Sequence, residues 1–145
     1  GNMAYLWIFG NNIEDYLGHV SFLIFYLFCG ICATTIHIIS DFDSVIPVVG
    51  ASGAISGILG AYLILYPKAK VKLLVWFGIV TILRVKASIV LIFWFIYQFI
   101  SVFKSSGEGG GVAWWAHIGG FIAGLFVIFL LGKKKLVEKE KSPWE

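Results

Sequence analysis

Four long apolar runs constrain what this chain can fold into, because none of them contains Asp, Glu, Lys or Arg. They cover residues 16–39, 45–66, 87–103 and 112–131. A helix needs about 20 apolar residues to cross a hydrocarbon core of about 30 Å, and all four runs reach or approach that length. The chain as a whole is 59% hydrophobic and 13% charged, outside the usual range of soluble domains. The sequence therefore predicts an all-α polytopic membrane protein with four complete transmembrane helices.

A shorter apolar run occupies residues 3–9 and is followed by Gly10, Asn11 and Asn12. We interpret this run as the second half of a helix that begins before residue 1, and we expect the two asparagines to form the turn after it. The first ten residues contain no basic segment and no small-residue cleavage site, which argues against a signal peptide.

The positions of Lys and Arg predict the orientation of the chain in the membrane. All of them except Lys104 lie either between the second and third spans or after the last span. By the positive-inside rule these two regions are cytoplasmic, so the loops at 40–47 and 104–111 face outside. Residues 71–83 are apolar but short and are bracketed by basic residues, which places them at the cytoplasmic interface with Trp76.

Small residues recur at every fourth position in the second and fourth spans. The two series are Gly53, Gly57 and Ala61, and Ala116, Gly120 and Gly124. Residues four apart share one face of a helix, and small-xxx-small faces allow two helix backbones to approach closely in a membrane. We therefore expect these two helices to pack against each other.

Ser52 and His117 lie at similar predicted depths in these two helices. Ser52 is seven residues after the start of its span at residue 45, and His117 is five after residue 112. At 1.5 Å per residue both are about 8 to 10 Å below the outer surface. Since unpaired polar groups are costly in a bilayer, we expect the two side chains to form a hydrogen bond.

A serine paired with a histidine has the composition of a nucleophile and its general base. The spans contain no acidic residue that could orient the imidazole, so the sequence does not support a three-member triad. A helix that begins near Ser52 would direct its free N–H groups at an oxyanion, with Gly50 allowing the backbone to approach. The residues alone also leave a structural role open, because transporters and channels contain similar glycine-rich helices.

Three motifs resemble those of the rhomboid family of intramembrane serine proteases. The sequence GASG at residues 50–53 is similar to the family's GxSG motif, and AHIGG at 116–120 with Gly124 is similar to AHxxGxxxG. Asn2 matches the end of the family's HxxxN motif, and the Trp114–Trp115 pair is also similar to many bacterial and archaeal members. The resemblance implies a rhomboid-like membrane domain over 1–132, followed by a charged cytoplasmic tail at 133–145.

The resemblance also implies a function and the residues that perform it. Rhomboid proteases hydrolyse peptide bonds in or near transmembrane segments of other membrane proteins, with Ser52 matching the nucleophile and His117 the general base. Asn2, Gly50 and the backbone of Ser52 match the oxyanion site, while Gly53, Gly57, Gly120 and Gly124 match the packing glycines. The implied partners are transmembrane substrates and the lipid bilayer. The implied location is a prokaryotic plasma membrane, with the active site open to the outer face.

Two departures from the family pattern bear on activity. The family has six core helices, and this chain holds the end of the second and all of the third to sixth, so the histidine of HxxxN would precede residue 1. This leaves open whether the present stretch is active alone. Ser56 stands where some members carry an aromatic residue against the histidine ring, so support for the ring comes from elsewhere or from the Ser56 hydroxyl.

Alternative interpretations remain for the whole chain and for one loop. A proteolytically inactive rhomboid-like protein that binds membrane clients is the second functional hypothesis, although such a protein is expected to lack Ser52 or His117. A transporter or channel should show polar residues along several spans, and this chain does not. The glycine-rich loop at 105–111 is either a cap that lifts for substrate or a simple tether.

The remaining chemistry-bearing residues have simpler interpretations. Cys29 and Cys32 have redox or metal-binding spacing but lie in mid-span without a second cysteine pair, so we interpret them as packing residues. His19 and His37 are interpreted as interfacial side chains. The sequence contains no Walker loop, zinc constellation or nucleic-acid-binding patch, and therefore predicts no cofactor, metal or nucleic-acid partner.

Overall fold

Helices form most of the computed structural model, which describes residues 1–40, 42–43, 50–76, 80–104 and 112–131. A two-stranded antiparallel hairpin separates the fourth helix from the fifth. The elements, in chain order, are α1 (Asn2–Tyr5), a π-helical turn (Leu6–Gly10), α2 (Asn11–Leu17), α3 (His19–Ser40), α4 (Ser52–Leu65), β1 (Lys70–Trp76), β2 (Val80–Lys86), α5 (Ala87–Lys104) and α6 (Trp114–Leu131).

Three of these helices, α3, α5 and α6, are long and apolar enough to cross a membrane, and α4 is a shorter apolar helix. The prediction of a helical membrane protein is therefore confirmed. The predicted span 45–66 contains α4, which begins not at residue 45 but at Ser52, as expected for a helix that begins near the serine. Gly50 has a φ of 136°, a conformation that a helix does not contain, so helical geometry starts only after it. Residues 44–49 lie outside the described part of the chain.

The α4 helix is enclosed by the rest of the bundle. Every residue from Gly53 to Tyr62 is buried, and α4 contacts α3, α5 and α6 as well as the N-terminal helices. The small-residue faces of α4 and α6 meet so closely that a Cβ on Gly120 would overlap the carbonyl oxygen of Gly53. A Cβ on Gly124 would likewise overlap the carbonyl oxygen of Gly57. The two backbones are therefore in direct contact along this face.

The N-terminal segment continues as a helix through the residues predicted to form a turn. Asn11 and Asn12 belong to α2, which ends at Leu17 and is followed by the C-cap residue Gly18 with a φ of 83°. The Asn12 side-chain amide donates to the Tyr62 hydroxyl at 3.2 Å, and the Tyr66 hydroxyl donates to the Asn12 carbonyl oxygen at 3.2 Å. These contacts with α4 and its C-terminal end favour helix over turn at Asn12, and the predicted turn is wrong.

Within residues 71–83, which the sequence places at the membrane interface, residues 71–76 belong to β1 and residues 80–83 to β2. The strands pair in a regular register from Lys70 opposite Lys86 to Trp76 opposite Val80. The alternation of basic and β-branched residues suits paired strands. The same pattern also fits an interfacial segment, so the sequence alone does not distinguish the two unless the partner strand is known. Val71 is buried against the bundle, whereas Trp76 is exposed.

Gly124→Ala is expected to destabilise the protein by about 1–3 kcal/mol, since the added methyl forces α4 and α6 apart. Thermal unfolding in detergent measures this loss. The matched control is Gly30→Ala on α3, where a Cβ would stand 3.4 Å from the Cβ of Ala54, an ordinary contact. Equal unfolding temperatures for the two variants would show that the contact between α4 and α6 does not limit stability.

Candidate functional site

The side chains of Ser52 and His117 meet where α4 and α6 begin. The His117 Nε2 atom lies 2.9 Å from Ser52 Oγ, within hydrogen-bond distance. Ser52 is the first residue of α4, and His117 stands one turn into α6. Because α4 begins at Ser52, the depth estimated along a helix from residue 45 does not apply. The glycine contact between α4 and α6 holds the starts of the two helices, and with them Ser52 and His117, close together.

The N-terminus of α4 places backbone N–H donors next to the serine. The first N–H groups of a helix have no acceptor within it, and the N-cap residue Ala51 forms no side-chain hydrogen bond with them. Within the described residues, the first N–H of α4 that has a backbone acceptor is that of Ile55, which donates to the Ala51 carbonyl oxygen at 3.0 Å. The positive end of the helix dipole adds to the field at this point. The site can therefore stabilise a negatively charged oxygen beside Ser52.

The imidazole of His117 is held on its far side by α5. Its Nδ1 atom lies 2.8 Å from the side-chain oxygen of Gln98, which is only 3% exposed. The rings of Trp94 and Trp114 lie 5.9 and 6.1 Å from the imidazole, centroid to centroid. The support that the sequence left unassigned thus comes from an amide and two indoles.

Gln98 was not among the residues predicted from the sequence. The available signal was that it is the one amide side chain in the apolar run 87–103. A buried amide inside a membrane span must find a hydrogen-bond partner. The identity of that partner depends on how α5 packs against α6, which the sequence does not state.

Ser56 does not reach the histidine ring. Its hydroxyl donates to the Ser52 carbonyl oxygen one turn earlier at 2.7 Å, and the residue is 1% exposed. The hydroxyl is satisfied within its own helix, as is common for helical serines. The small side chain leaves room beside the imidazole, which a larger residue would fill.

A cavity of about 180 Å³ opens beside the Ser52 hydroxyl. It lies between the N-terminal segment and helices α4, α5 and α6, and its lining includes Asn2, Ser52, Trp94 and His117. The predicted oxyanion donor Asn2 and the side chains of Ser52 and His117 therefore line one cavity. At roughly 30 Å³ per water molecule, this cavity has room for several waters or for a short piece of peptide.

Other predicted residues lie away from this cavity. Cys29 and Cys32 are free thiols, and Cys29 packs against α4, where a Cβ on Gly57 would be 2.5 Å from its Sγ. His19 pairs with Glu14 at 2.7 Å across the turn between α2 and α3. The Nδ1 of His37 is buried without a hydrogen-bond partner among the described residues. The loop at 105–111 and the tail at 133–145 lie outside the part that the structure describes.

Comparison with known proteins identifies the family. A model of the rhomboid domain matches residues 1–134. This chain belongs to the rhomboid family. The resemblance stated from its motifs is thus confirmed, as is its helical-bundle fold, and the chain is an integral membrane protein of a family of intramembrane-protease type.

One curated relative of this rhomboid domain is Rhomboid protein 1, mitochondrial, of Saccharomyces cerevisiae. The two are 34% identical over 79 residues, which is 52% of this chain and 23% of the yeast protein. The matched segment therefore spans less than a quarter of that relative. No solved structure matches the chain.

Gly50→Ala in this rhomboid domain is expected to cost about 1–3 kcal/mol of stability, because the backbone conformation at Gly50 is strained for any residue with a Cβ. A Cβ there would stand 3.8 Å from Ser52 Oγ, so the constraint is conformational and not one of space. We also expect slower reaction of Ser52 with a fluorophosphonate, since relief of the strain moves the start of α4.

The control for this variant is Gly18→Ala, at a φ of 83° with nothing within 4 Å of the added Cβ. It should lower the unfolding temperature in the same way and leave the labelling rate of the folded protein unchanged. A Gly50→Ala protein labelled at the wild-type rate would contradict the proposed link between this turn and Ser52.

Proposed function

We propose that this chain is the catalytic part of a serine protease that cleaves peptide bonds in or near transmembrane segments of other membrane proteins. The observation that carries the proposal is the 2.9 Å contact between Ser52 Oγ and His117 Nε2 inside a helical membrane domain. Family membership agrees with it, since the rhomboid family is of intramembrane-protease type. The proposed substrates are membrane proteins, and no cofactor or metal takes part.

In the proposed mechanism, His117 Nε2 accepts the hydroxyl proton of Ser52 as Oγ attacks the carbonyl carbon of the scissile peptide bond. The carbonyl oxygen becomes an oxyanion, stabilised by the free N–H groups at the start of α4 and by the side-chain amide of Asn2. His117 then gives its proton to the leaving amine, and the C–N bond breaks to form an acyl-serine ester. A water molecule, deprotonated by His117, hydrolyses this ester and restores Ser52.

The dimensions of the site favour an unwound substrate. A helical segment is about 10–12 Å wide with its side chains, which exceeds what a cavity of about 180 Å³ can enclose. In a helix the carbonyl oxygens are also engaged in hydrogen bonds, so local unwinding must free the scissile carbonyl before attack. Substrates with helix-weakening residues near the cut are therefore the proposed class.

The proposed orientation places the catalytic site toward the outer face of a prokaryotic plasma membrane. Ser52 and His117 lie at the start of α4 and α6, and the basic residues cluster beyond the opposite ends of these helices. By the positive-inside rule those opposite ends, and with them the C-terminus, face the cytoplasm. Water then reaches Ser52 from the outer side.

A fluorophosphonate probe tests this proposal on the full-length protein in detergent. We expect labelling of the wild type and none of Ser52→Ala or His117→Ala, because the first variant lacks the nucleophile and the second lacks the base that activates it. Each variant is checked for folding by thermal unfolding. A folded wild type that takes no label would reject the protease mechanism and favour a rhomboid-like protein that binds membrane clients without cleaving them.

Replacing Asn2 by Ala tests the proposed oxyanion site. Loss of one oxyanion donor costs about 10²–10³-fold in kcat, and KM for a transmembrane substrate should change little because the donor acts mainly in the transition state. The matched control is Asn11→Ala, an exposed asparagine on α2, for which wild-type kcat is expected. Equal rates for both variants would remove Asn2 from the mechanism.

A further inference from the structure

The α5 helix brings one buried amide to the histidine of the proposed catalytic pair. The Gln98 side-chain oxygen lies 2.8 Å from His117 Nδ1, while His117 Nε2 faces Ser52 at 2.9 Å. Gln98 is 3% exposed, although its neighbours Tyr97, Phe99 and Ile100 are exposed. The amide is thus the part of this stretch of α5 that points into the bundle.

The chemistry of the contact determines which imidazole nitrogen carries the proton. A side-chain carbonyl oxygen only accepts hydrogen bonds, so a hydrogen bond between it and the imidazole requires the Nδ1–H tautomer. In a neutral imidazole the other nitrogen, Nε2, then has the free lone pair. That lone pair faces Ser52 Oγ and is the group needed to remove the hydroxyl proton.

We propose that Gln98 is a positioning residue that holds His117 in the Nδ1–H tautomer, with Nε2 directed at Ser52. This inference rests on the proposed protease function of the same site. Ser52, His117 and Gln98 then form a linear hydrogen-bonded series, in which Gln98 touches neither substrate nor reacting atoms. The role matches that of the acid in a hydrolytic triad, which orients the imidazole and fixes its tautomer.

The membrane explains why an amide suits this position. A carboxylate there would bring a full negative charge into a span, where ionised side chains are expensive. An amide oxygen supplies the same hydrogen bond without a charge. The absence of acidic residues from the spans therefore does not leave the imidazole without an orienting acceptor.

The aromatic rings beside His117 limit its other orientations. Trp94 lies at a ring-centroid distance of 5.9 Å and an interplanar angle of 36°, and Trp114 at 6.1 Å and 88°. The two indoles enclose the imidazole but offer no acceptor for Nδ1–H, since an indole N–H only donates. Packing alone therefore restricts the ring position, and Gln98 selects the tautomer.

Nitrogen-15 NMR of histidine-labelled full-length protein tests this assignment without any substrate. The His117 signals are identified by their loss in His117→Ala. In the wild type at a pH where the ring is neutral, we expect Nδ1 to be protonated and Nε2 unprotonated. A wild type with the proton on Nε2 would overturn the proposal directly.

Gln98→Met removes the acceptor at nearly constant side-chain length. We expect a mixture of tautomers in this variant and a kcat about 10- to 100-fold lower, which is less than the full contribution of a general base. KM for a transmembrane substrate should stay unchanged. Gln98→Glu retains an accepting oxygen and should keep the Nδ1–H tautomer and more of the wild-type kcat than Gln98→Met, with a lower unfolding temperature because a carboxylate in a span is costly. A role in stability alone would not produce this difference between the two variants.

The control on the same helix is Ile100→Leu, an exposed position, which should change neither the tautomer nor kcat. An unchanged spectrum and kcat in Gln98→Met would overturn the role of Gln98 even if fluorophosphonate labels Ser52. Failure of that labelling in the wild type would instead count against the proposed function, so the two failures are distinguishable.

Discussion

The direct contact between the backbones of α4 and α6 is the constraint on which the rest of the structure depends. Helices in lipid gain little from the hydrophobic effect when they associate, so close packing must supply the stability. Here glycine faces carbonyl oxygen at two successive turns, Gly120 against Gly53 and Gly124 against Gly57. This contact sets the separation of the helices, and that separation sets the distance between Ser52 and His117.

The buried polar groups around Ser52 and His117 satisfy one another. The Ser52 hydroxyl, both imidazole nitrogens of His117 and the Gln98 oxygen form one hydrogen-bonded series, and Ser56 satisfies itself within α4. In a medium of low dielectric each of these groups would be costly without a partner. The same requirement that stabilises the series also orients the imidazole, so satisfaction of buried polar groups and preparation for proton transfer come from the same contacts.

Part of the fold and part of the site could be predicted from local patterns. Hydropathy located the membrane helices, and four-residue spacing identified the small faces of α4 and α6. The apolar run alone would place the start of this helix at residue 45, whereas Gly50 and Ser52 indicate the later start that the structure has. Asn11 and Asn12 suggest a turn by composition, yet the contacts of Asn12 with Tyr62 and Tyr66 stabilise a helix there. Tertiary contacts outweigh local preference at this position.

The sequence by itself determined that this protein belongs in a membrane, that it is built from helices, and that Ser52 and His117 stand near glycine faces. These features depend on composition and on residues a few positions apart. Tertiary structure alone decided that Gln98 meets His117 and that β1 pairs with β2. Those contacts join elements separated by intervening chain, and their geometry follows from how whole helices and strands pack.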